Sequence, residues 1–373
     1  MSVSKESDPV DRAAPRGGKG PDSPTDAAPK RSKAEACQVL PLADHDRWDE
    51  FVLSPGHGTL FHTAWWYRAW GMQPTVQALC DAQGKIQAGI CYAMGRRWGL
   101  RSIVRPPMTP RNGPVFAPLA DAGRHRQHTH HKKMTSLAIG ALPRLAAYDF
   151  ILRPDDADVM PFLWNGFDTL IVYTYVVPRT ERDTWIKHAS KTQQRRVRTA
   201  ARHAEEEQYG FEPDPDFGEV LALLKATAEA KRYSMARFVG SLPAWWREVQ
   251  ARQAGSAYLL RDGAGRPACA ALMVYDSQCA YYLGGGIRSD LRSGSIVNVL
   301  LFHRMIQDAH AQGLDFDFEG SVLPGVEGFF RSLGGELRPL YRVVKLPSLV
   351  SYLIWSGYRY LKGHRKRAWI VVD

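Results

Sequence analysis

The sequence predicts an α/β or α+β protein built from two domains of ordinary size. Three observations support this fold class. The chain has 373 residues, more than a single domain usually holds. Helical and strand-like segments alternate along it. Their order between residues 207 and 347 also resembles their order between residues 37 and 178, which suggests a weak internal duplication. We therefore expect two similar domains, joined by a basic helical linker at residues 179–206.

The first domain is preceded by a segment with almost nothing to bury. Residues 1–36 are rich in Pro, Gly, Ser and mixed charge, so we expect a disordered tail. Asp44 is suited to cap a first helix that buries Trp48, and a short second helix follows and ends near Gly71. The remaining elements are the strands "TVQALCD", "IQAGICYAM", "LRSIVRPP" and "NGPVFAP", the helix "KKMTSLAIGALPRLAAY", and the strands "DFILRP" and "DTLIVYTYVVP".

The second domain repeats this order after the basic stretch "TWIKHASKTQQRRVRTAARHAEEE". Two helices are followed by a hairpin, a further strand, a helix and a strand pair. These elements are "FGEVLALLKATAEAKR", "LPAWWREVQARQ", "SAYLLRDGAGRPACAALMVYD", "CAYYLGGGI", "SIVNVLLFHRMIQDAHAQG", "LDFDFEG" and "LYRVV". Residues 348–373 form an amphipathic, basic C-terminal tail.

Charge and cysteine content limit the possible partners and the compartment. The net charge is +11, and most of the excess lies in residues 178–205 and 351–373, which predicts local contact with nucleic acid, lipid headgroups or a phosphate-bearing substrate. The five cysteines lie far apart without a C-x-x-C pair, as is typical of a reducing compartment. No apolar run has the length of a membrane span or a secretory signal. We expect a cytoplasmic protein, with the inner face of the membrane as a further option.

The segment "LDFDFEGSVLPGVEGFFRSLGGE" concentrates acid in an otherwise basic chain. Strict alternation places Leu314, Phe316 and Phe318 on one side of a strand, with carboxylates at alternate positions facing the other side. Such carboxylates can act as a base in a partly dry cleft, because desolvation raises their pKa. The alternative is a solvated strand face or an ion pair with an arginine. Asp317 and Glu319 stand closest to the end of the strand, where open α/β sheets usually form their ligand crevice.

Several blocks taken in order resemble the FemAB-like branch of the GNAT acyltransferase superfamily. They extend over nearly all of residues 38–345. The blocks are "TLFHTAWWYRAW", "RPPMTPRNGPVF", "KTQQRRVRTAARHA", "YYLGGGIRSD", "SGSIVNVLLFHRMIQDAHAQGLDFDFEGS" and "VEGFFRSLGGELRPLYRV". The resemblance implies two tandem GNAT-like domains, each with a mixed twisted sheet and flanking helices. It also implies transfer of an acyl or aminoacyl group to an amine of a cell-envelope or polysaccharide precursor.

The resemblance leaves the acyl donor open. Peptidoglycan-building members of the family use aminoacyl-tRNA and carry a long helical arm, which this sequence lacks. Acyl-CoA and aminoacyl-tRNA therefore both remain donor co-substrates, and no permanently bound cofactor or metal is expected. The alternative to an enzyme is a catalytically inactive GNAT-fold module that binds RNA or a membrane surface.

The candidate site residues fall into three groups. Asp317 or Glu319 would act as the base or orient the substrate. The predicted substrate-binding residues are Arg105, Arg111 and Asn112 in a proline-stiffened loop, Lys191, Arg195 and Arg198 on the basic helix, and Tyr282 and Ser321 beside the glycine run and the acidic strand. The predicted donor-binding residues are Gly285, Gly286, Arg288, Gly294 and Ser295. For each group a purely structural role is the alternative, such as a turn, a strand end or a solvated helix face.

Two further segments remain to be placed. "GRHRQHTHHKK" is histidine-rich, but without Cys or a carboxylate at metal-ligand spacing it predicts a polar loop and no zinc site. The C-terminal "LPSLVSYLIWSGYRYLKGHRKRAWIVVD" combines apolar and aromatic residues with a basic cluster, a composition suited to a membrane interface. Packing of this tail on the second domain is the competing interpretation.

Overall fold

The computed structural model describes residues 38–365 except 98, 120–122, 157, 183, 207, 214, 232–237, 292–295 and 321–323. The predicted disordered tail lies outside these residues. The helices are α1 His45–Leu53, α2 Ala64–Ala69, α3 Arg124–Gly140, α4 Met160–Trp164, α5 Lys191–Glu206, α6 Phe217–Lys231, α7 Leu242–Ala251, α8 Ile296–Ala311, α9 Pro324–Ser332 and α10 Leu349–Arg365.

Most strands lie at the predicted positions, whereas β8 was not predicted and β13 is longer than predicted. They are β1 Gln38–Pro41, β2 Pro74–Cys80, β3 Ile86–Arg97, β4 Leu100–Val104, β5 Val115–Phe116, β6 Tyr148–Ile151, β7 Asp168–Val177, β8 Gly210–Phe211, β9 Gly255–Arg261, β10 Pro267–Tyr275, β11 Cys279–Ile287, β12 Asp315–Asp317 and β13 Glu336–Lys345.

Strands β1 to β5 form the smaller sheet, in the order β1-β2-β3-β4 with β5 also paired to β3, and all of its pairs are antiparallel. Helix α1 packs beside α2 and buries Trp48 and Val52 against this sheet. The predicted cap is confirmed, since the Asp44 carboxylate accepts a hydrogen bond from the Arg47 backbone N–H at 3.1 Å.

The remaining strands form a larger sheet in the order β6-β13-β7-β12-β11-β10-β9-β8. Its one parallel pair among the described residues is β11 with β12, and the other neighbours are antiparallel. Strands β6 and β7 precede the basic helix in sequence, yet they pair with β13 near the end of the chain. The two halves of the sequence therefore share one sheet, and the predicted domain boundaries stay predictions.

Strand β10 lies at the middle of the buried region, and both of its faces are covered. Its sequence "PACAALMVY" is an almost continuous apolar run, as expected for a strand buried on both sides. One face joins a core with helix α8, and the other joins a core that includes Trp66 of α2 and Trp245 of α7. The rings of Trp66 and Trp245 meet edge to face, with centroids 5.6 Å apart. Aromatic packing thus links the two halves of the chain. The α/β fold class is confirmed.

The histidine-rich segment differs from the prediction. Helix α3 begins at Arg124 and includes the residues that were expected to form a polar loop. The exposed first turns continue a helix whose later turns bury Met134 and Ala138 against the smaller sheet, because helix propagation costs much less than nucleation. Within the described residues, no cluster of three His, Cys, Asp or Glu side chains is arranged to hold a metal ion.

Helix α10 follows β13 and carries the predicted amphipathic tail. Its first turns expose Leu349, Val350, Tyr352 and Leu353 by 52–72%. None of the helices in the described part of the chain has the length and apolar character needed to span a bilayer.

Candidate active site

Strand β12 carries the acidic pattern into the centre of the larger sheet. It lies between β11 and β7, and its alternation is as predicted. Phe316 and Phe318 enter the aromatic core beneath α8, while Asp317 points to the opposite face. Asp315 lies at the start of the strand, where its carboxylate accepts a hydrogen bond from the Arg179 backbone N–H at 2.9 Å. The acid at this position therefore holds a neighbouring turn, and only the later carboxylates reach the interior.

Arg111 joins both of the later carboxylates. One terminal nitrogen of its guanidinium donates to Asp317, and the other donates to Glu319 Oε1 at 2.8 Å. The guanidinium also lies over the ring of Tyr281, 5.1 Å from its centroid. All of this is buried, since the Arg111 side chain is 2% exposed. The proline-stiffened loop between β4 and β5 thus delivers a cation to the acidic strand from the other half of the chain.

The hydrogen-bonding capacity of Asp317 is largely used. Besides Arg111, its carboxylate accepts hydrogen bonds from the Thr174 hydroxyl and from the Glu319 backbone N–H at 2.8 Å. A carboxylate held by three donors is fixed in place. This arrangement suits a residue that positions its neighbours.

Glu319 is in a different electrostatic position. Burial raises the pKa of its carboxyl group from 4.5 to about 8, and the negative charge of Asp317 adds to the rise, whereas Arg111 opposes it. Its side chain is 12% exposed, compared with 2% for Asp317. Glu319 is therefore the more exposed carboxylate of this pair, and its pKa lies near the pH at which a base works best.

The backbone around Glu319 is held in an unusual conformation. Glu319 has φ +60°, in the left-handed region that side-chain-bearing residues seldom occupy. Gly320 follows with φ +56°, and a Cβ at that position would lie 2.1 Å from the carbonyl oxygen of Tyr173. Two consecutive left-handed residues turn the chain sharply out of β12. The turn keeps the Glu319 carboxylate beside Arg111.

An opening between β11 and β12 begins just after Asp317. The two strands pair from Cys279 with Asp315 to Tyr281 with Asp317, and β11 then continues to Ile287 without β12 beside it. A bulge leaves Leu283 without a partner residue on β10, directly beyond the point where the pairing ends. The sheet is thus split next to the carboxylates, at a place where a backbone N–H can face a ligand.

The glycine run on β11 has packing roles that the sequence did not reveal. A Cβ on Gly286 would lie 2.3 Å from the backbone of Leu223 in α6, and a Cβ on Gly285 would lie 2.8 Å from the Tyr282 hydroxyl. The ring of Tyr282 packs against the ring of Phe302, with the ring centroids 4.8 Å apart. Gly285 and Gly286 thus let α6 and Tyr282 pack against the strand. The predicted contact of these two glycines with the acyl donor stays a prediction.

The other predicted residues lie at several places. Asn112 is 1% exposed, and its side-chain amide makes two hydrogen bonds with the backbone of β6. The amide nitrogen donates to Asp149 O at 3.0 Å, and the amide oxygen accepts from the Ile151 N–H at 2.8 Å. The side chain of Asn112 thus fixes the loop that carries Arg111. Arg105 donates to Thr109 O at 3.3 Å within that loop.

Arg288 and the basic helix lie apart from the carboxylates. The Arg288 guanidinium pairs with Asp290 at 2.8 Å and with Asp262 at 2.9 Å, beyond the end of β11. Lys191, Arg195 and Arg198 are exposed on α5. Gly294, Ser295 and Ser321 lie outside the described residues.

Sequence reasoning missed Thr174, Tyr281 and Asp276. Thr174 lies on β7, and Tyr281 donates its hydroxyl to Asp276 at 3.0 Å. Asp276 also accepts from the Leu60 backbone N–H at 3.2 Å, so it links the two halves of the chain beside the site. A single Thr or Tyr within a strand has no sequence pattern that marks it as a site residue. Only the pairing of β7 with β12 brings Thr174 to Asp317.

The comparison with known families agrees with this geometry. Residues 191–331 match the model of the acetyltransferase (GNAT) domain, from the first residue of α5 almost to the end of α9. This segment is a GNAT acetyltransferase domain. The matched segment contains the split between β11 and β12 and both carboxylates, whereas Arg111 and Thr174 come from outside it. No curated protein sequence matches the chain.

Solved structures share the fold over most of this chain. FemX superimposes with a TM-score of 0.56 at 12% identity, covering 82% of this chain and 96% of FemX. A conserved protein of unknown function from Bacteroides thetaiotaomicron superimposes with a TM-score of 0.53 at 10% identity, covering 83% of this chain and 99% of that protein. L-PGS from Bacillus licheniformis superimposes with a TM-score of 0.50 at 14% identity, covering 85% of this chain and 96% of L-PGS. The family match confirms the resemblance to GNAT acyltransferases for residues 191–331, and these structures confirm the fold for most of the chain.

Proposed function

We propose that this acyltransferase forms an amide on an amine of a cell-envelope or polysaccharide precursor, with Glu319 as the general base. The observation that carries the proposal is the pKa of about 8 at Glu319, beside the split in the sheet. Asp317 is occupied by three donors, so we assign it a positioning role. The sequence left Asp317 and Glu319 as equal candidates, and the geometry favours Glu319.

The reaction needs three things from the protein. The attacking amine must be neutral, a base must take its proton, and a donor must stabilise the oxyanion of the tetrahedral intermediate. The amine nitrogen bonds to the acyl carbon, the bond from that carbon to the leaving group breaks, and Glu319 takes the proton that the nitrogen loses. The backbone N–H of Leu283 at the bulge is our candidate for the oxyanion donor. Arg111 and Asp317 hold Glu319 in reach of the amine.

The acyl donor is best supported as acyl-CoA, because the matched domain belongs to the acetyltransferase family. A thioester bound between β11 and the end of β12 would present its carbonyl to Leu283 and Glu319. Aminoacyl-tRNA is the second donor to test. The observation in its favour is the exposed row of Lys191, Arg195 and Arg198 on α5, which suits a phosphate backbone.

We further propose that the acceptor is lipid-linked and that α10 touches the membrane surface. Leu349 and Leu353, one helical turn apart, are 72% and 58% exposed, and the following residues of the tail are basic. Lys345, which ends β13, donates to Asn165 O at 2.6 Å and so ties the start of α10 to the end of α4. There Trp164 is 61% exposed. Apolar and aromatic side chains beside basic ones suit an anionic bilayer.

Turnover by Glu319→Gln tests the catalytic proposal. The amide keeps an oxygen for Arg111 but cannot take a proton, so we expect acyl transfer to fall by about two to four orders of magnitude. The assay follows thiol release from acetyl-CoA and longer acyl-CoAs with a panel of amino sugars and diamines. Glu336→Gln, an exposed glutamate paired with Arg338, is the matched control and should keep full activity. Full activity in Glu319→Gln would refute the assignment.

The pH profile provides an independent check of the same residue. Because a base must be ionised, the rate in the wild-type protein should rise with pH, reach half of its maximum near pH 8 and level off above it. A rate that is already constant from pH 6 upward would contradict the role of Glu319.

Vesicle co-sedimentation tests the membrane proposal. We expect the full chain to bind phosphatidylcholine vesicles that contain about 30 mol% phosphatidylglycerol and to lose this binding in Leu349→Glu/Leu353→Glu. Leu337→Glu changes an equally exposed leucine on β13 and should leave binding unchanged. Equal binding by both variants would show that α10 is not the contact.

The alternative function is a GNAT-fold module that has lost its chemistry and binds an anionic partner. The exposed row on α5 is the observation that favours it. Thermal stabilisation by acetyl-CoA supports the enzyme, whereas stabilisation by polyanions alone, abolished by salt, supports the module.

A further inference from the structure

A cavity of about 360 Å³ lies away from the carboxylate cluster, between the C-terminal half of α8 and the turn that follows β7. Its lining consists of Arg182, Arg304, Gln307, Asp308, His310 and Ala311. Neither Arg111, Asp317 nor Glu319 contributes to it. The cavity is near the small end of the range of ligand sites, which is about 300–1,000 Å³. It therefore suits a small metabolite better than a nucleotide or a lipid.

The charges in the cavity favour an anion. The Asp308 carboxylate is already engaged, because both of its oxygens lie 2.9 Å from Arg304 Nε and one accepts the Tyr258 hydroxyl at 3.1 Å. The two terminal nitrogens of Arg304 make no hydrogen bond with a described residue. Arg182 adds a second guanidinium with no described partner, so the lining has an excess positive charge. Guanidinium groups bind phosphate and carboxylate oxygens through paired hydrogen bonds.

His310 forms part of the wall of the cavity. The residue is 3% exposed, and its Nε2 lies 3.5 Å from the Val177 carbonyl oxygen. His310 therefore shapes the cavity next to β7, and the two guanidinium groups are the side chains that can bind an anion in it.

We propose that this cavity is a second binding site, for a small phosphate- or carboxylate-bearing metabolite, separate from the site of acyl transfer. Arg182 and Arg304 bind the anionic group, and Gln307 binds a polar group next to it. The site is close to the catalytic strand. Val177, whose carbonyl faces His310, pairs with Phe316, and the next pair along the ladder contains Asp317.

Calorimetric titration of the full chain with inorganic phosphate, and separately with acetate, tests the site. At constant ionic strength we expect saturable binding of one anion per chain. Tighter binding of phosphate would indicate a phosphate-bearing ligand, and tighter binding of acetate would indicate a carboxylate-bearing one. Arg182→Ala and Arg304→Ala should each raise the Kd about tenfold or more. Arg247→Ala removes the same charge from an exposed position on α7 and should leave the Kd unchanged.

Three outcomes would overturn the proposal. One is the absence of saturable binding of either anion. The others are binding that the Arg182 and Arg304 variants leave intact and binding that acetyl-CoA displaces, since either result would place the anion in another site. Glu319→Gln should bind the anion normally, so a failure of the catalytic proposal would not affect this test.

Discussion

The elevated pKa of Glu319 makes the stability of the protein depend on pH in a predictable direction. In the unfolded chain this carboxyl group ionises near pH 4.5, and in the folded protein it ionises near pH 8. Between these values the folded protein holds a proton that the unfolded chain has released. Raising the pH therefore favours unfolding, and the stabilising contribution of the proton is fully present below pH 4.5 and lost by about pH 8.

The size of the effect follows from the same two values. A pKa difference changes the free energy of unfolding by about 1.4 kcal/mol per pH unit, so a rise from 4.5 to about 8 amounts to about 5 kcal/mol. Glu319→Gln cannot ionise and removes this dependence. We expect the variant to match the wild-type protein near pH 5 and to be more stable by up to about 5 kcal/mol near pH 9.

Urea denaturation followed by tryptophan fluorescence, at intervals from pH 5 to pH 9, measures the difference. Other titrating groups contribute equally to both proteins, so the gap between the two curves isolates Glu319. Glu336→Gln should follow the wild-type curve throughout. Parallel curves for the wild type and Glu319→Gln would refute the claim that this carboxyl group is buried in its neutral form.

Two further predictions concern the frame that holds Glu319. Arg111→Met leaves the Asp317 carboxylate buried without its cation and should reduce the free energy of unfolding by about 3–5 kcal/mol, measured by urea denaturation; a loss below about 1 kcal/mol would show that the ion pair between Arg111 and Asp317 is solvated. Gly320→Ala adds a Cβ at φ +56°, 2.1 Å from Tyr173 O, and should cost about 2–4 kcal/mol. Gly325→Ala, with open space around it, should be neutral or stabilising, and equal effects of the two alanines would contradict the close contact at Gly320.

Much of the local structure was predictable because its causes are local. Alternation placed Phe316 and Phe318 in the core, and the Asp44 cap set the start of α1. Helix α3 was predicted to begin too late, because its exposed first turns carry no apolar periodicity. The short helix α4 was missed, since its five residues are too few to show a helical period.

The candidate site was predictable only in its residue types. The acidic strand and the Arg111 loop were each recognised, but the sequence offered no means of joining two segments about two hundred positions apart. It also treated Asp317 and Glu319 as equivalent. Their difference arises from Thr174 and from the left-handed turn at Glu319. Residues 294, 295 and 321 lie outside the described residues, and their roles stay predictions.

The sequence by itself determined the α/β class, the positions of most strands and helices, and the resemblance to GNAT acyltransferases. These properties depend on side-chain periodicity and on short blocks, which neighbouring residues specify. The tertiary structure alone decided that β6 and β7 complete the larger sheet, that Arg111 binds both carboxylates, and that the pKa of Glu319 is raised to about 8. A pKa depends on burial and on charges brought close by folding, and neither can be read from the order of residues along the chain.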